Sequence, residues 1–319
     1  MRTNVTILAL DGCFDTGFAV LLDTLETANA LSSLSTPPFH VVIAGVRRRP
    51  RTHHGLAIDA AAMPAKAPDL VVMPALACKQ PDEILQALER RDVGDAMNVV
   101  RSWRARGTRL AAACTSTFVL AQSGTLDGKR ATTSWWLGPT FRRAFPAVEL
   151  DDTQMVVADK GVVTAGAAFA HVDLALSLVR DRSPSLASAV AKHLVLDDRA
   201  SQAPYVAADF VAHDDELVKK LERYVRRHIA EPFDLADVAR AIGASERTLQ
   251  RRVSAVLGKP PIAFVQELRL ERAAHLLRST HKSVDDVARD VGYESATTLR
   301  TLLRKKLGVG VRAIRRGAR

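Results

Sequence analysis

The sequence predicts two domains of different class: an α/β domain on a doubly wound parallel sheet, followed by an all-α domain that contains a duplicated pair of helices. Three observations lead there. Over the first two thirds of the 319 residues, strand-length apolar runs alternate with amphipathic helical stretches, and the length itself suggests about two domains of roughly 100–200 residues. Late in the chain a helical pattern recurs at an offset of 49 to 50 residues. The net charge of +10 is also localised: residues 1–214 carry 22 basic and 22 acidic side chains, whereas 215–319 carry 23 basic and 13 acidic ones. A neutral body joined to a basic module implies that the smaller part meets a polyanion, most simply nucleic acid. With 47% apolar and 25% charged residues, the composition excludes wholesale disorder and a fibrous chain.

The first apolar run, 5–10, reads as a strand stopped by Asp11. It is far short of a signal-peptide core or a membrane span of ~20 residues, so a cytoplasmic protein with no membrane partner is expected. A helix through 21–31, strands at 41–46 and 70–73, a helix over 83–106 and a strand at 110–113 follow. Continuous apolar strands separated by amphipathic helices require a parallel sheet covered on both faces. Ligands of such sheets gather at the carboxyl ends of the strands, where Cys114 falls.

Leu110-Ala-Ala-Ala-Cys114, followed by Thr115-Ser-Thr-Phe-Val-Leu-Ala121, reads as a strand turning into a helix with the cysteine at the turn. The helix dipole would favour its thiolate there; a buried structural cysteine is the alternative. Together with Cys13 and Cys78 it makes an odd set without C-x-x-C spacing, so neither a disulfide framework nor a zinc site is expected, and no cofactor. Trp135 and Trp136 offer an aromatic wall for a cationic ligand, against the alternative of a core role. If they extend a strand they point to opposite faces. His171 and Asp173 follow the apolar stretch 161–170 and are either pocket residues or a satisfied pair. A helix-like piece at 186–196 and the polar run 197–204, ending in Pro204, place a linker over 184–214 after a first domain of 1–183.

In the basic part, 215–319, Asp237-Val-Ala-Arg-Ala-Ile-Gly243 matches Asp286-Val-Ala-Arg-Asp-Val-Gly292. Each copy opens with an apolar i, i+3, i+4, i+7 set: Leu235, Val238, Ala239 and Ile242, then Val284, Val287, Ala288 and Val291. Asp234 and Ser283 are suited to cap these helices, Gly243 and Gly292 to end them, and Ser245 and Ser295 to cap the second helices. Helix, short glycine turn, helix is the helix-turn-helix pattern, whose second helix enters the major groove. The two units are placed at 234–256 and 283–306, joined by a helix over 260–279.

These residues, together with Leu268-Arg-Leu-Glu-Arg-Ala-Ala-His-Leu-Leu-Arg278, resemble the AraC/XylS family of transcription regulators. The resemblance implies base-reading side chains at Arg247, Gln250 and Arg251 in the first unit and at Thr297, Thr298, Arg300 and Thr301 in the second. Arg matches the guanine edge and Gln the adenine edge, so the first unit is expected to discriminate more. Ser245, Arg252, Ser295, Arg304, Lys305 and Lys306 are expected on phosphates. Units docked on one face of a duplex would read sites about one turn, ~10 bp, apart. The family often has Pro and Tyr where this chain has Val311 and Ile314, which leaves open how the last helix is anchored.

The strand–Cys114–helix segment and its continuation Leu126-Asp-Gly-Lys-Arg-Ala-Thr-Thr133 resemble the ThiJ/PfpI, glutamine-amidotransferase-like superfamily, which implies a flavodoxin-like fold for the first domain. The family's acidic residue falls on Gly17 and its histidine on Ser134, while Thr115 and Ser116 stand beside the cysteine in place of His and Gly. Only Asp15 or His171 is left to activate the sulfur. Joined to an AraC-type module, the domain resembles the GlxA-like regulators. That implies an effector pocket formed by Cys114, Thr115, Ser134, Trp135 and His171, a homodimer through the first domain, promoter DNA as partner and RNA polymerase as a further one. The alternatives are a Cys114-dependent hydrolase or deglycase with an accessory nucleic-acid domain, and a nonspecific nucleic-acid binder.

Overall fold

The computed structural model describes residues 2–197, 199, 201–202, 215–307 and 310–316. The chain divides into two compact units, Met1–Gln202 and Ala203–Arg319. The first begins with β1 (Thr3–Ala9), α1 (Asp15–Leu31), β2 (Phe39–Gly45), β3 (Leu70–Met73), α2 (Pro81–Leu88), α3 (Arg91–Ala105), β4 (Arg109–Ala113) and α4 (Ser116–Gln122). It continues through β5 (Arg130–Ala131), α5 (Gly138–Ala144), β6 (Glu149–Leu150), β7 (Val156–Asp159), β8 (Val162–Ala165), α6 (His171–Arg182) and α7 (Pro184–His193).

The main sheet has the order β2-β1-β3-β4-β8-β7, parallel throughout except for β7 at one edge. That exception is local chemistry: Lys160 and Gly161, at φ 43° and 76°, make the tight turn by which β7 runs back antiparallel into β8. Alternate residues feed two apolar cores. Leu8, Val71, Met73, Leu110 and Ala112 face the side covered by α2 to α5. Val5, Ile7, Leu70, Val72, Ala111 and Val163 face α1, α6 and α7. Helices on both faces of a mostly parallel sheet are the architecture that the apolar strands required.

Two boundaries differ from the sequence reading. The single helix expected over 83–106 is two, α2 and α3, and the break turns Arg90 back onto Asp92 and the Asp11 carbonyl at 2.6 and 2.7 Å. The first unit also runs past 183 to Gln202, because α7 buries Ala187 and Val190 in the second core and Gln202 is itself buried. The later part of the expected linker, 203–214, lies outside the described residues.

The second unit is helical: α8 (Glu216–Arg227), α9 (Leu235–Ala241), α10 (Glu246–Leu257), α11 (Pro261–Ser279), α12 (Val284–Asp290), α13 (Ala296–Leu307) and α14 (Val311–Arg316). The four capping residues act as their positions predict. Asp234 accepts from the Ala236 and Asp237 amides, Ser245 from Thr248, Ser283 from Asp286 and Ser295 from Thr298. Gly243 and Gly292 end α9 and α12 at φ 76° and 77°, which a Cβ would oppose. The unit has two cores, and α11 contributes to both: Phe264, Val265 and Leu268 to the first, Leu270, Ala273 and Leu277 to the second. The last helix is anchored by Ile314, buried in that second core.

Candidate functional site

At the carboxyl ends of the strands the chain makes a sharp turn at Cys114, whose φ of 54° is unusual for a side-chain-bearing residue and costs about 1–2 kcal/mol. Its neighbours hold it there. The Cys114 amide donates to the Ala165 carbonyl at 2.8 Å and Thr133 Oγ1 to the Cys114 carbonyl at 2.8 Å. Thr115 Oγ1 and Ser116 Oγ each donate, at 2.5 Å, to the Leu76 and Pro74 carbonyls. The sulfur lies 2.7 Å from Ser134 Oγ. Burial removes the solvation a thiolate would need and pushes the Cys114 pKa up, against the pull of the Ser134 bond. The Cys114 surroundings are those of the alternative reading, a buried cysteine.

No base is left for that sulfur among the groups expected to supply one. His171 is fully buried; its Nδ1 lies 2.6 Å from the Ala168 carbonyl and its Nε2 accepts from the Ala75 amide at 3.0 Å. Both ring nitrogens are therefore spent on backbone, with the proton on Nδ1. Desolvation lowers the His171 pKa to about 4. The ring also fills the space over Gly17, where an added Cβ would come within 2.5 Å of Nε2. Asp15 is turned to His54 at 2.9 Å. Burial works against its carboxylate, yet bonds from Thr52 and His54 hold its pKa at about 2. Asp173 binds Arg199 rather than His171.

Of the five expected pocket residues, Cys114, Thr115, Ser134 and His171 are sealed in the interior, and only Trp135 is partly exposed. Trp135 and Trp136 do not extend a strand. They form a single-turn helix, Trp135–Leu137, with ring centroids 5.5 Å apart and planes at 82°, so the alternation argument does not apply to them. The residue that the sequence did not reveal is Gln202. Its buried carboxamide accepts from the Trp135 amide at 3.3 Å and donates towards the Thr133 carbonyl at 2.9 Å, the Gln154 carbonyl at 3.2 Å and Thr132 Oγ1 at 3.2 Å. Nothing in a polar tract marks one glutamine as buried.

In the second unit, Arg247, Gln250 and Arg251 lie on one exposed face of α10, and Thr297, Thr298, Arg300 and Thr301 on the exposed face of α13. The threonine hydroxyls are partly engaged: Thr298 Oγ1 is 3.0 Å from Ser295 Oγ, and Thr301 Oγ1 donates to the Thr297 carbonyl at 3.0 Å. Ser245 and Ser295 are exposed at the helix starts, each using its hydroxyl as a cap. Arg304 and Lys305 are exposed and, with Arg300, Thr301 and Arg312, line a basic cleft of about 750 Å³. Arg252 and Lys306, expected on phosphates, form ion pairs with Asp215 and Glu267 in this structure, both at 2.5 Å. Arg269 is a further residue missed from sequence. From α11 it donates to the Ile229, Glu231 and Gly292 carbonyls and stands 5.8 Å from the Tyr293 ring centroid, tying the glycine turn of the second unit to the end of α8.

Comparison with known proteins places both halves. The DJ-1/PfpI family matches residues 4–181, and a helix-turn-helix domain matches 238–317. The chain belongs to the DJ-1/PfpI family. Its added helix-turn-helix domain makes it a transcription regulator of the GlxA-like AraC type. It is 24% identical to the HTH-type transcriptional regulator GbdR of Pseudomonas aeruginosa over 98% of this chain and 84% of that one. To the regulator GlxA of Rhizobium meliloti it is 26% identical over 64% of each chain. A solved ThiJ/PfpI family protein from Pseudomonas syringae shares the fold at a TM-score of 0.50 and 18% identity, covering 62% of this chain and 77% of that one. Among the described residues no helix is long and apolar enough to cross a membrane.

Proposed function

We propose that this regulator binds promoter DNA through Arg247, Gln250 and Arg251 on α10 and through Thr297, Thr298, Arg300 and Thr301 on α13, with Arg304 and Lys305 on phosphates. The observation that carries this is the pair of exposed polar faces, each on a serine-capped second helix and both anchored on α11. The first unit senses a small molecule, and effector binding acts by favouring one state of the protein over another. A homodimer through the first unit and contact with RNA polymerase complete the reading, which places the protein in the cytoplasm.

Arg251→Ala is expected to weaken promoter binding by ~1–3 kcal/mol and to relax preference at one base position in a selection from random duplexes. A uniform loss over all sequences would reassign Arg251 to the backbone, and equal affinity of the unaltered protein for every duplex would leave only nonspecific binding. The enzyme reading is disfavoured by the raised Cys114 pKa and the occupied His171 nitrogens. Hydrolase or deglycase turnover that disappears in Cys114→Ser would restore it.

A further inference from the structure

One carboxylate in the second unit joins parts that the apolar packing leaves separate. The helices expected to enter the grooves sit on different cores, α10 through Leu249, Val253 and Leu257 and α13 through Leu299 and Leu303. Glu267 lies on α11 between Val265 and Leu268, two residues of the first core. Its Oε2 accepts from Lys259 Nζ at 2.7 Å, just past the end of α10, and its Oε1 from Lys306 Nζ at 2.5 Å, in the last turn of α13. The carboxyl ends of both helices therefore meet on one side chain. The Lys306 bond crosses from one helix-turn-helix pair to the part of α11 that holds the other.

The surroundings suit a lasting bond. The Glu267 side chain is 15% exposed and the two lysines 31% and 34%, so the pairs escape much of the screening that makes fully exposed ones weak. Burial works against the Glu267 carboxylate, yet Lys259 and Lys306 hold its pKa below the ordinary value. Arg269 follows two residues later, roughly 200° round the helix, and ties the end of α8 to the glycine turn of the second pair. With Arg269 alone the two pairs would share a hinge on one side of α11. Glu267 closes the other side.

We infer that Glu267 is a positioning residue that fixes α10 and α13 in phase with each other, and so sets the spacing between the two base sequences that the protein reads. The inference rests on the DNA-binding reading of the second unit. Without the carboxylate, Lys259 and Lys306 are left facing one another as like charges, which drives the ends of α10 and α13 apart. One base pair of added spacing turns a half-site by roughly 35° and moves it by about 3.4 Å. A rigid pair of helices rejects that shift, and a loosened pair tolerates it.

The test uses the full chain and the duplex it selects from a random library, remade with one base pair inserted or removed between the half-sites. The unaltered protein should lose affinity ~tenfold or more on either change, and Glu267→Gln less than ~threefold, with the same bases preferred within each half-site. An equal penalty in the two proteins, or a variant that loses its base preferences, would overturn the inference. A second measurement needs no DNA. Spin labels at Ser254→Cys and Thr301→Cys, both on exposed faces, in a Cys78→Ser background that leaves only the buried Cys13 and Cys114, report the distance between α10 and α13. The distribution should be narrow with Glu267 in place and wider in Glu267→Gln and in Lys306→Ala, which cuts the same bridge from its other end. A distribution that stays as narrow in either variant would overturn the inference equally. Since the distances are read without DNA, failure of promoter recognition and failure of the bridge are told apart.

Discussion

At the scale of single residues, the chemistry of the first unit is decided by what surrounds His171. Its folded-state pKa of about 4 lies below the ordinary histidine value of about 6.5. Between those values the unfolded chain binds a proton that the folded chain refuses. Stability should therefore be unaffected above pH 6.5 and be lost as pH falls from there to 4, by about 3 kcal/mol in all. Thermal melts across that range should show the loss, and His171→Asn should flatten it. Gly17 sits under the same ring, inside α1. Glycine to alanine inside a helix ordinarily stabilises, by up to about 1 kcal/mol. Here the new Cβ meets an imidazole pinned by two bonds, so Gly17→Ala should destabilise by about 1–3 kcal/mol in urea denaturation. A stabilised variant would show that the ring can move.

Secondary-structure elements divide the work differently in the two units. In the second, α10 is attached through buried Leu249, Val253 and Leu257 and α13 through buried Leu299 and Leu303, with Leu249 and Leu299 at the same place in each copy, while their polar faces stay outside. The two copies are held in one arrangement by α11, and Arg269 is its polar fastening. Arg269→Ala removes charge-assisted bonds to the Ile229, Glu231 and Gly292 carbonyls and should cost about 2 kcal/mol in urea denaturation of this unit. Arg269→Lys should not restore it, since one ammonium cannot reproduce the planar fork. Much of this was legible in advance. The capping residues and glycines mark the ends of the helices, because a cap is a contact between near neighbours in sequence. Arg269 was not legible, because its partners lie 23 to 40 residues away and are backbone carbonyls, which carry no side-chain signal.

For the molecule as a whole, the charge excess belongs to the part that carries the helix-turn-helix domain, and several of its cations are paired with acids of the same unit. Lys306 and Lys259 converge on Glu267, and Arg252 on Asp215, the cap of α8. Arg304→Ala should lower the slope of log affinity against log salt by about 1, as expected for one phosphate contact. Lys306→Ala should leave that slope unchanged and show its effect in folding stability. Fluorescence anisotropy over a salt series separates the two outcomes, and equal slopes for both variants would return Lys306 to the phosphate set.

What the sequence determined alone was the kind of protein: two domains, a covered parallel sheet, a duplicated helix-turn-helix pair and a basic module. These follow from periodicity, local caps and composition, all properties of residues close together in the chain. The tertiary structure decided what surrounds Cys114. The raised pKa of Cys114, the two backbone partners of His171 and the burial of the Gln202 carboxamide all depend on groups brought together from distant segments. Burial among those groups raises the Cys114 pKa, and no local pattern records it.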